Sequence, residues 1–178
     1  DGSHEKRVWL VGEAAAGGRG GRAWSRDGLE ATGRTSLWGD GAAGGLVQAD
    51  RRPHRLAVGC YALADGRLTR TALVEIDIRD ERTAVDLPDA DLILINDLDL
   101  TYAKARLDER SLDAVQEALS TLEDPLARGL VWSALWNATR DGELPAARYL
   151  AIVRRHAPAE TNVGLLSAAT ANTAFAVE

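Results

Sequence analysis

The stretch Leu92–Asp108, LILINDLDLTYAKARLD, places the tightest limit on what this chain can fold into. Leu92, Ile93, Leu94 and Ile95 form a short unbroken apolar run after the turn-forming Pro88-Asp89-Ala90-Asp91, which reads as a strand. The run breaks into Asn96-Asp97-Leu98-Asp99, whose short polar side chains bond to nearby backbone and favour turns and caps. Before this seam almost every segment reads as strand; after it every segment reads as helix. The expected class is α+β: a small antiparallel β-sandwich followed by an α-helical bundle of the superhelix type.

Upstream of the seam, His54–Leu63 alternates, with Leu56, Val58 and Cys60 on one face and Arg55, Ala57 and Gly59 on the other. Ala64-Asp65-Gly66-Arg67 is a hairpin connection of the Asp-Gly kind. Leu68–Ile78 pairs back, with Leu73 and the alternating set Val74, Ile76 and Ile78, and Thr83–Leu87 follows a charged turn. An earlier strand, Leu46–Ala49, stops at Asp50–Pro53, because proline cannot donate to a ladder. Turn signals recurring every ~8–12 residues favour a small antiparallel sandwich of roughly six to seven strands.

Downstream, Asp108 is placed to cap a helix carrying Leu112, Val115, Leu119 and Leu122. Glu123-Asp124-Pro125 ends it and starts a second, with proline tolerated in a first helical turn, which closes at Asp141-Gly142. Pro145 opens a third through Tyr149, Leu150, Ile152 and Val153, and Arg154, Arg155 and His156 set positive charge at its C-terminal end. Glu160–Ala176 is a fourth. Trp132 and Trp136 share one helix face, a spacing that belongs to a core or an interface more than to a ligand platform. Successive helix pairs suggest the start of a stack whose last members present an apolar face to another chain or further repeats.

The amino-terminal part contains Gly17, Gly18, Gly20 and Gly21, which raise the entropy of ordering and read as a flexible link. Their spacing matches neither a G-x-x-x-x-G-K-S/T phosphate loop nor a G-x-G-x-x-G turn. His4-Glu5 begins like the zinc motif H-E-x-x-H, but Val8 stands where the second histidine is needed. Ala23–Gly33 reads as a short helix, with Trp24, Leu29 and Trp38 supplying its apolar contacts.

Composition narrows the function classes. A formal charge of -6 without a dense basic stripe argues against a nucleic-acid partner. No apolar run approaches the ~20 residues of a membrane helix, and no secretory h-region is visible, so no membrane association and a cytoplasmic location are expected. The single cysteine, Cys60, lies in an apolar strand and reads as a buried structural thiol. The chain has no methionine, which suggests a piece of something longer, and its arginine-, alanine- and glycine-rich composition suggests a high-G+C bacterial genome.

Asn96, Asp97, Asp99, Leu100, Thr101, Tyr102, Ala103, Lys104, Arg106, Leu107 and Asp108 resemble the strand-to-helix junction of the bacterial zinc aminopeptidases of the aminopeptidase N family. Arg52, Pro53, His54, Arg55, Val58, Gly59 and Tyr61 resemble that family's β-sandwich. Ala23, Trp24, Ser25, Leu29, Glu30 and Gly33 resemble its last catalytic-domain helix, and Glu5, Lys6 and Trp9 a motif near the end of that domain. Gly28 departs, since an aromatic residue is usual there. The resemblance implies three parts: residues 1–33 as a flexible segment and short helix left from a preceding domain, 34–96 as the β-sandwich, and 97–178 as a truncated helical domain.

The parent family uses a zinc-activated water to remove N-terminal residues from peptides. The resemblance therefore implies a non-catalytic fragment with a structural and cleft-closing role, partnered by the catalytic domain of the same protein or another chain. Asn96, Asp97, Asp99 and Tyr102 would form its structural junction, and Trp132 and Trp136 an interface. No catalytic or metal residue is assigned and no cofactor is expected in this chain, because three protein ligands are needed for a catalytic zinc. The alternative is a stand-alone protein-binding or scaffold module without enzymatic activity. A Ser-His-Asp hydrolase is disfavoured, since no serine sits in a G-x-S-x-G elbow.

Overall fold

The computed structural model describes residues 5–11, 23–24, 54–78, 82–101 and 103–176. Seven strands precede four α-helices among them: β1 Glu5–Val11, β2 Ala23–Trp24, β3 His54–Ala64, β4 Arg67–Ile78, β5 Arg82–Pro88, β6 Leu92–Ile95 and β7 Lys104–Ala105, then α1 Glu109–Ala118, α2 Pro125–Arg140, α3 Ala146–His156 and α4 Val163–Ala176. The chain is thus α+β, with a three-stranded antiparallel sheet in the order β4-β3-β6 and two smaller strand pairs, β1-β5 antiparallel and β2-β7 parallel.

The β3–β4 hairpin forms where the Asp-Gly pair permits it. Asp65 and Gly66 adopt φ of 51° and 71°, the mirror-image turn that matches strand twist. Between Cys60 and Tyr61 the register slips: Cys60 faces Ala72 but Tyr61 faces Arg70, so Thr71 is the extra residue of a bulge. This slip changes which face the rest of β4 serves. Ala72, Val74, Ile76 and Ile78 pack with Leu56, Val58 and Cys60, whereas Leu68 lies in the core beneath the helices. Strict alternation would have put Leu68 and Arg70 on the same face as Ala72.

Strand β6 explains its own unbroken apolar sequence. All four residues are buried, and they serve two cores. Ile93 and Ile95 pack with Leu56, Val58, Ile78, Val85 and Leu87 on one side of the sheet. Leu92 and Leu94 pack with Leu112, Val115, Leu119, Leu122, Val131, Leu135, Tyr149 and Ile152 on the other. A helix closes the edge of β6, where Ser111 Oγ of α1 accepts the Ile93 amide at 3.0 Å. The edge donor therefore meets a partner instead of inviting another strand.

Helix boundaries follow from caps. Asp108 accepts the Ser111 amide at 2.8 Å and starts α1; Asp124 accepts the Leu126 amide at 2.9 Å, with Pro125 in the first turn of α2. Gly142, at φ 77°, ends α2 as the Asp-Gly pair predicts. The first helix stops at Ala118, short of Leu122, and Leu119–Thr121 tightens into a 3-10 turn that still buries Leu119 and Leu122.

Several expectations are corrected. Glu5–Val11 is a strand paired along its length with β5, where a flexible link is expected; Val8, Trp9, Leu10 and Val11 are strand-forming residues whose partner lies far along the sequence. Ala23–Trp24 is a short strand on β7, where a helix start is expected. The fourth helix begins at Val163 instead of Glu160, because the Glu160 carboxylate takes Arg128 and Trp132 while Asn162 accepts the Leu165 amide. His156 is a buried neutral ring, not a helix-end cation: burial holds its pKa below the usual range. One ring nitrogen meets Ser120 Oγ at 3.0 Å and the other the Gln116 carbonyl at 3.0 Å. The Leu46–Ala49 strand, the glycine cluster, His4 and Trp38 lie outside the described residues.

Two outcomes are expected. Leu94→Ala, which empties a fully buried site between sheet and helices, lowers unfolding free energy by about 2–5 kcal/mol in urea denaturation, and a loss under about 1 kcal/mol would contradict the packing. His156 is held neutral in the fold, so its contribution is present above the unfolded pKa of about 6.5 and is lost as pH falls through the lower folded value. Stability therefore falls from pH 7.5 toward 5.5, and His156→Gln flattens that slope; an unchanged slope would contradict it.

Candidate functional site

The most concentrated polar chemistry among the described residues lies where sheet meets helices. The chain leaves β6 through Asn96 and Asp99, both at positive φ, 63° and 52°. Asparagine and aspartate tolerate this region because their side chains bond locally. Asn96 Nδ2 donates to the Thr101 carbonyl at 2.6 Å, and the Asp99 amide donates to the Asn96 carbonyl at 2.8 Å. The Asp97 amide donates to the Ala57 carbonyl at 2.8 Å, which turns the Asp97 side chain over β3.

There Asp97 is fully buried. The Tyr61 hydroxyl donates to its carboxylate, 2.8 Å from Oδ1 and 2.9 Å from Oδ2. Arg70 Nη2 donates to Oδ1 at 3.1 Å, and Arg70 Nε lies 2.9 Å from Oδ2 and 3.0 Å from the Tyr61 hydroxyl. The same guanidinium reaches Asp124 Oδ2 at 3.1 Å, at the start of α2, and its carbon sits 5.4 Å from the Tyr61 ring centroid. Four elements are thereby tied by one arginine: β3, β4, the turn after β6, and α2.

Backbone geometry makes this arrangement. Arg70 faces the helices only because of the Thr71 bulge. Gly59 leaves the space Asp97 occupies: a Cβ at this glycine would lie 1.9 Å from Asp97 Oδ2 and 2.6 Å from its Cγ. Electrostatics differ at each member. Burial raises the Tyr61 pKa, and the Asp97 carboxylate adds to it. Burial also raises Asp97, against the opposing pull of Tyr61 and Arg70. At Arg70 burial favours the neutral form, but its bonds to Tyr61 and Asp97 win and its pKa rises. The two ion-pair partners shift in the same direction because Asp97 is fully enclosed whereas Arg70 is 30% exposed. Both oxygens of the carboxylate have donors within the protein.

Of the residues singled out from sequence, Asn96, Asp97 and Asp99 lie together in this turn, and Tyr102 lies outside the described residues. Trp132 is buried in the helical core with its indole N–H 3.4 Å from Glu160 Oε2. Trp136 is half-buried between Tyr149 and Phe175, with ring centroids 5.7 and 6.5 Å away. Sequence reasoning misses Arg70 altogether and reads Asp124 only as a helix start. The available signal was Gly59, a glycine inside an apolar strand, which marks a close approach. At the opposite end of α2, Lys104 and Arg106 both engage Asp141, and Arg106 also engages Glu143.

These residues do not fit a zinc ion. Among the described residues no group of three or more His, Cys, Asp or Glu side chains is placed to hold a metal. Both ring nitrogens of His156 are already engaged.

Comparison with known proteins bears on the same region. Residues 92–178 match the family described as the ERAP1-like C-terminal domain, a match that begins at the first residue of β6. Over 129 residues the chain is 41% identical to aminopeptidase N of Streptomyces lividans, an alignment that takes in 70% of this chain. It spans 15% of the length of that relative.

Gly59→Ala tests the geometry of the cluster. The added methyl must displace Asp97, so the unfolding free energy falls by about 1–3 kcal/mol. A midpoint in urea equal to that of the parent would show that Asp97 does not lie over this glycine.

Proposed function

The chain belongs to the C-terminal region of the aminopeptidase N family, with residues 92–178 in its ERAP1-like C-terminal domain, and on that premise we propose that it is a non-catalytic part of a zinc-dependent aminopeptidase. The 41% identity to aminopeptidase N of Streptomyces lividans carries the reading. On it, the zinc chemistry that removes N-terminal residues from peptides belongs to a catalytic part of the same protein or of another chain. The sequence given has no H-E-x-x-H.

In this reading β1 and β3–β6 act as a small sandwich and spacer, and α1–α4 begin a superhelical stack that closes over the catalytic cleft in the cytoplasm. The junction supports such a role. Val85 and Leu87 of β5 share one core with Leu56, Val58 and Cys60 of β3, which supports the sandwich reading. Residues of all four helices share the other core. Asp97, Tyr61, Arg70 and Asp124 bind the two parts through charge-assisted hydrogen bonds, which resist sliding better than apolar contact alone. No helix among the described residues is long and apolar enough to cross a membrane.

One observation fits both this reading and the alternative, a stand-alone protein-binding module. Helix α4 carries no charged side chain, and Val163 and Phe175 on it are 80% and 69% exposed. An uncharged helix with large apolar side chains this exposed offers a surface for another protein or a further helix.

The direct test is enzymatic. The purified 178-residue chain, supplied with zinc, is expected to release no arylamine from aminoacyl-arylamides. Release that is abolished by a chelator would overturn the proposal.

A further inference from the structure

The connection between α1 and α2 meets β4 along a polar seam. The Leu68 amide donates to Thr121 Oγ1 at 2.9 Å, Arg67 Nη2 to Glu123 Oε1 at 3.1 Å, and Arg70 Nη2 to Asp124 Oδ2 at 3.1 Å. Beneath it lie Leu68, Leu119 and Leu122, all buried in the core shared by sheet and helices. Apolar contact of this kind holds two surfaces together but is non-directional. Register along the seam must therefore come from its polar bonds.

Those bonds are unequal. The contact between α1 and β6 is enclosed: the Ser111 side chain and Ile93 are both buried. The seam on β4 is open to solvent, with Arg70 30% and Asp124 38% exposed. Arg70 is the member that joins the two regimes, with one side on the enclosed Asp97 and the other on Asp124. Asp124 also has two duties, since Oδ1 caps α2 through the Leu126 amide while Oδ2 takes Arg70. Shear motion of packed elements occurs where a directional lock can be released without unpacking the core.

We propose that the Arg70–Asp124 ion pair is the lock of a shear joint, which fixes how the α1–α2 connection and the helices after it sit on strand β4. Released, the connection slides on the β4 edge while Leu68, Leu119 and Leu122 stay packed and α1 stays docked on β6. The joint stands apart from the aminopeptidase reading, because it rests only on contacts within this chain.

Asp124→Asn in the full 178-residue chain separates the two duties, because asparagine caps a helix as well as aspartate but carries no charge for Arg70. Native-state amide exchange by NMR then reads the joint. The Leu68 amide, bonded across the seam, is expected to exchange about two- to fivefold faster, as loss of a partly exposed ion pair implies. The Leu126 amide reads the cap and the Ile93 amide the α1–β6 contact, and both are expected to stay unchanged. An unchanged Leu68 rate would overturn the proposal, as would a common acceleration of all three amides.

Discussion

A carboxylate removed from water must be given its hydrogen bonds by the protein, and this fold is arranged around one such group. Asp97 is fully enclosed, and a charge left alone there would be strongly unfavourable. Its two oxygens receive the Tyr61 hydroxyl from β3 and the Arg70 guanidinium from β4, and its backbone amide bonds to Ala57. Each donor must be delivered to within a few tenths of an ångström. That requirement explains otherwise separate features: the glycine beneath the carboxylate, the bulge that turns Arg70 inward, and the positive-φ asparagine that starts the turn. Burial pushes the Asp97 pKa up even with these partners in place, so the polar bonds compensate the enclosure without exceeding it.

Strand β6 carries the consequence to the rest of the molecule. Its alternate residues enter two different cores, so a displacement of β6 itself would disturb both. The match to the ERAP1-like C-terminal domain starts at Leu92, on this same strand. A unit that begins on a strand of the preceding sheet is physically continuous with it, and the polar cluster just after β6 keeps that continuity rigid. Such an arrangement suits a part that holds other parts in position.

How much of this can be read from residues depends on how local the cause is. The Asp65-Gly66 hairpin, the caps at Asp108 and Asp124, and the Asp141-Gly142 stop all follow from a few neighbouring side chains, and all appear where their residues predict them. The unbroken Leu92–Ile95 run signals a strand buried on both faces. Non-local causes are less legible. The Thr71 bulge reverses the face of Arg70 and Leu68, and nothing in the alternation of β4 announces it. The pairing of β1 with β5 joins segments far apart in sequence. His156 looks like a cation beside Arg154 and Arg155, but its neighbours across the fold, Ser120 and Gln116, make it a buried neutral partner. Arg70 escapes notice for the same reason, since both carboxylates it serves lie beyond its own hairpin.

If Asp97, Tyr61 and Arg70 act as one unit, removing any two members must cost something other than the sum of removing each. A double-mutant cycle with Tyr61→Phe and Arg70→Met, followed by urea denaturation, measures this most directly. A coupling of about 0.5–3 kcal/mol between the two sites is expected. Additive losses would contradict it, leaving the buried carboxylate without the shared network on which the joining of sheet to helices depends.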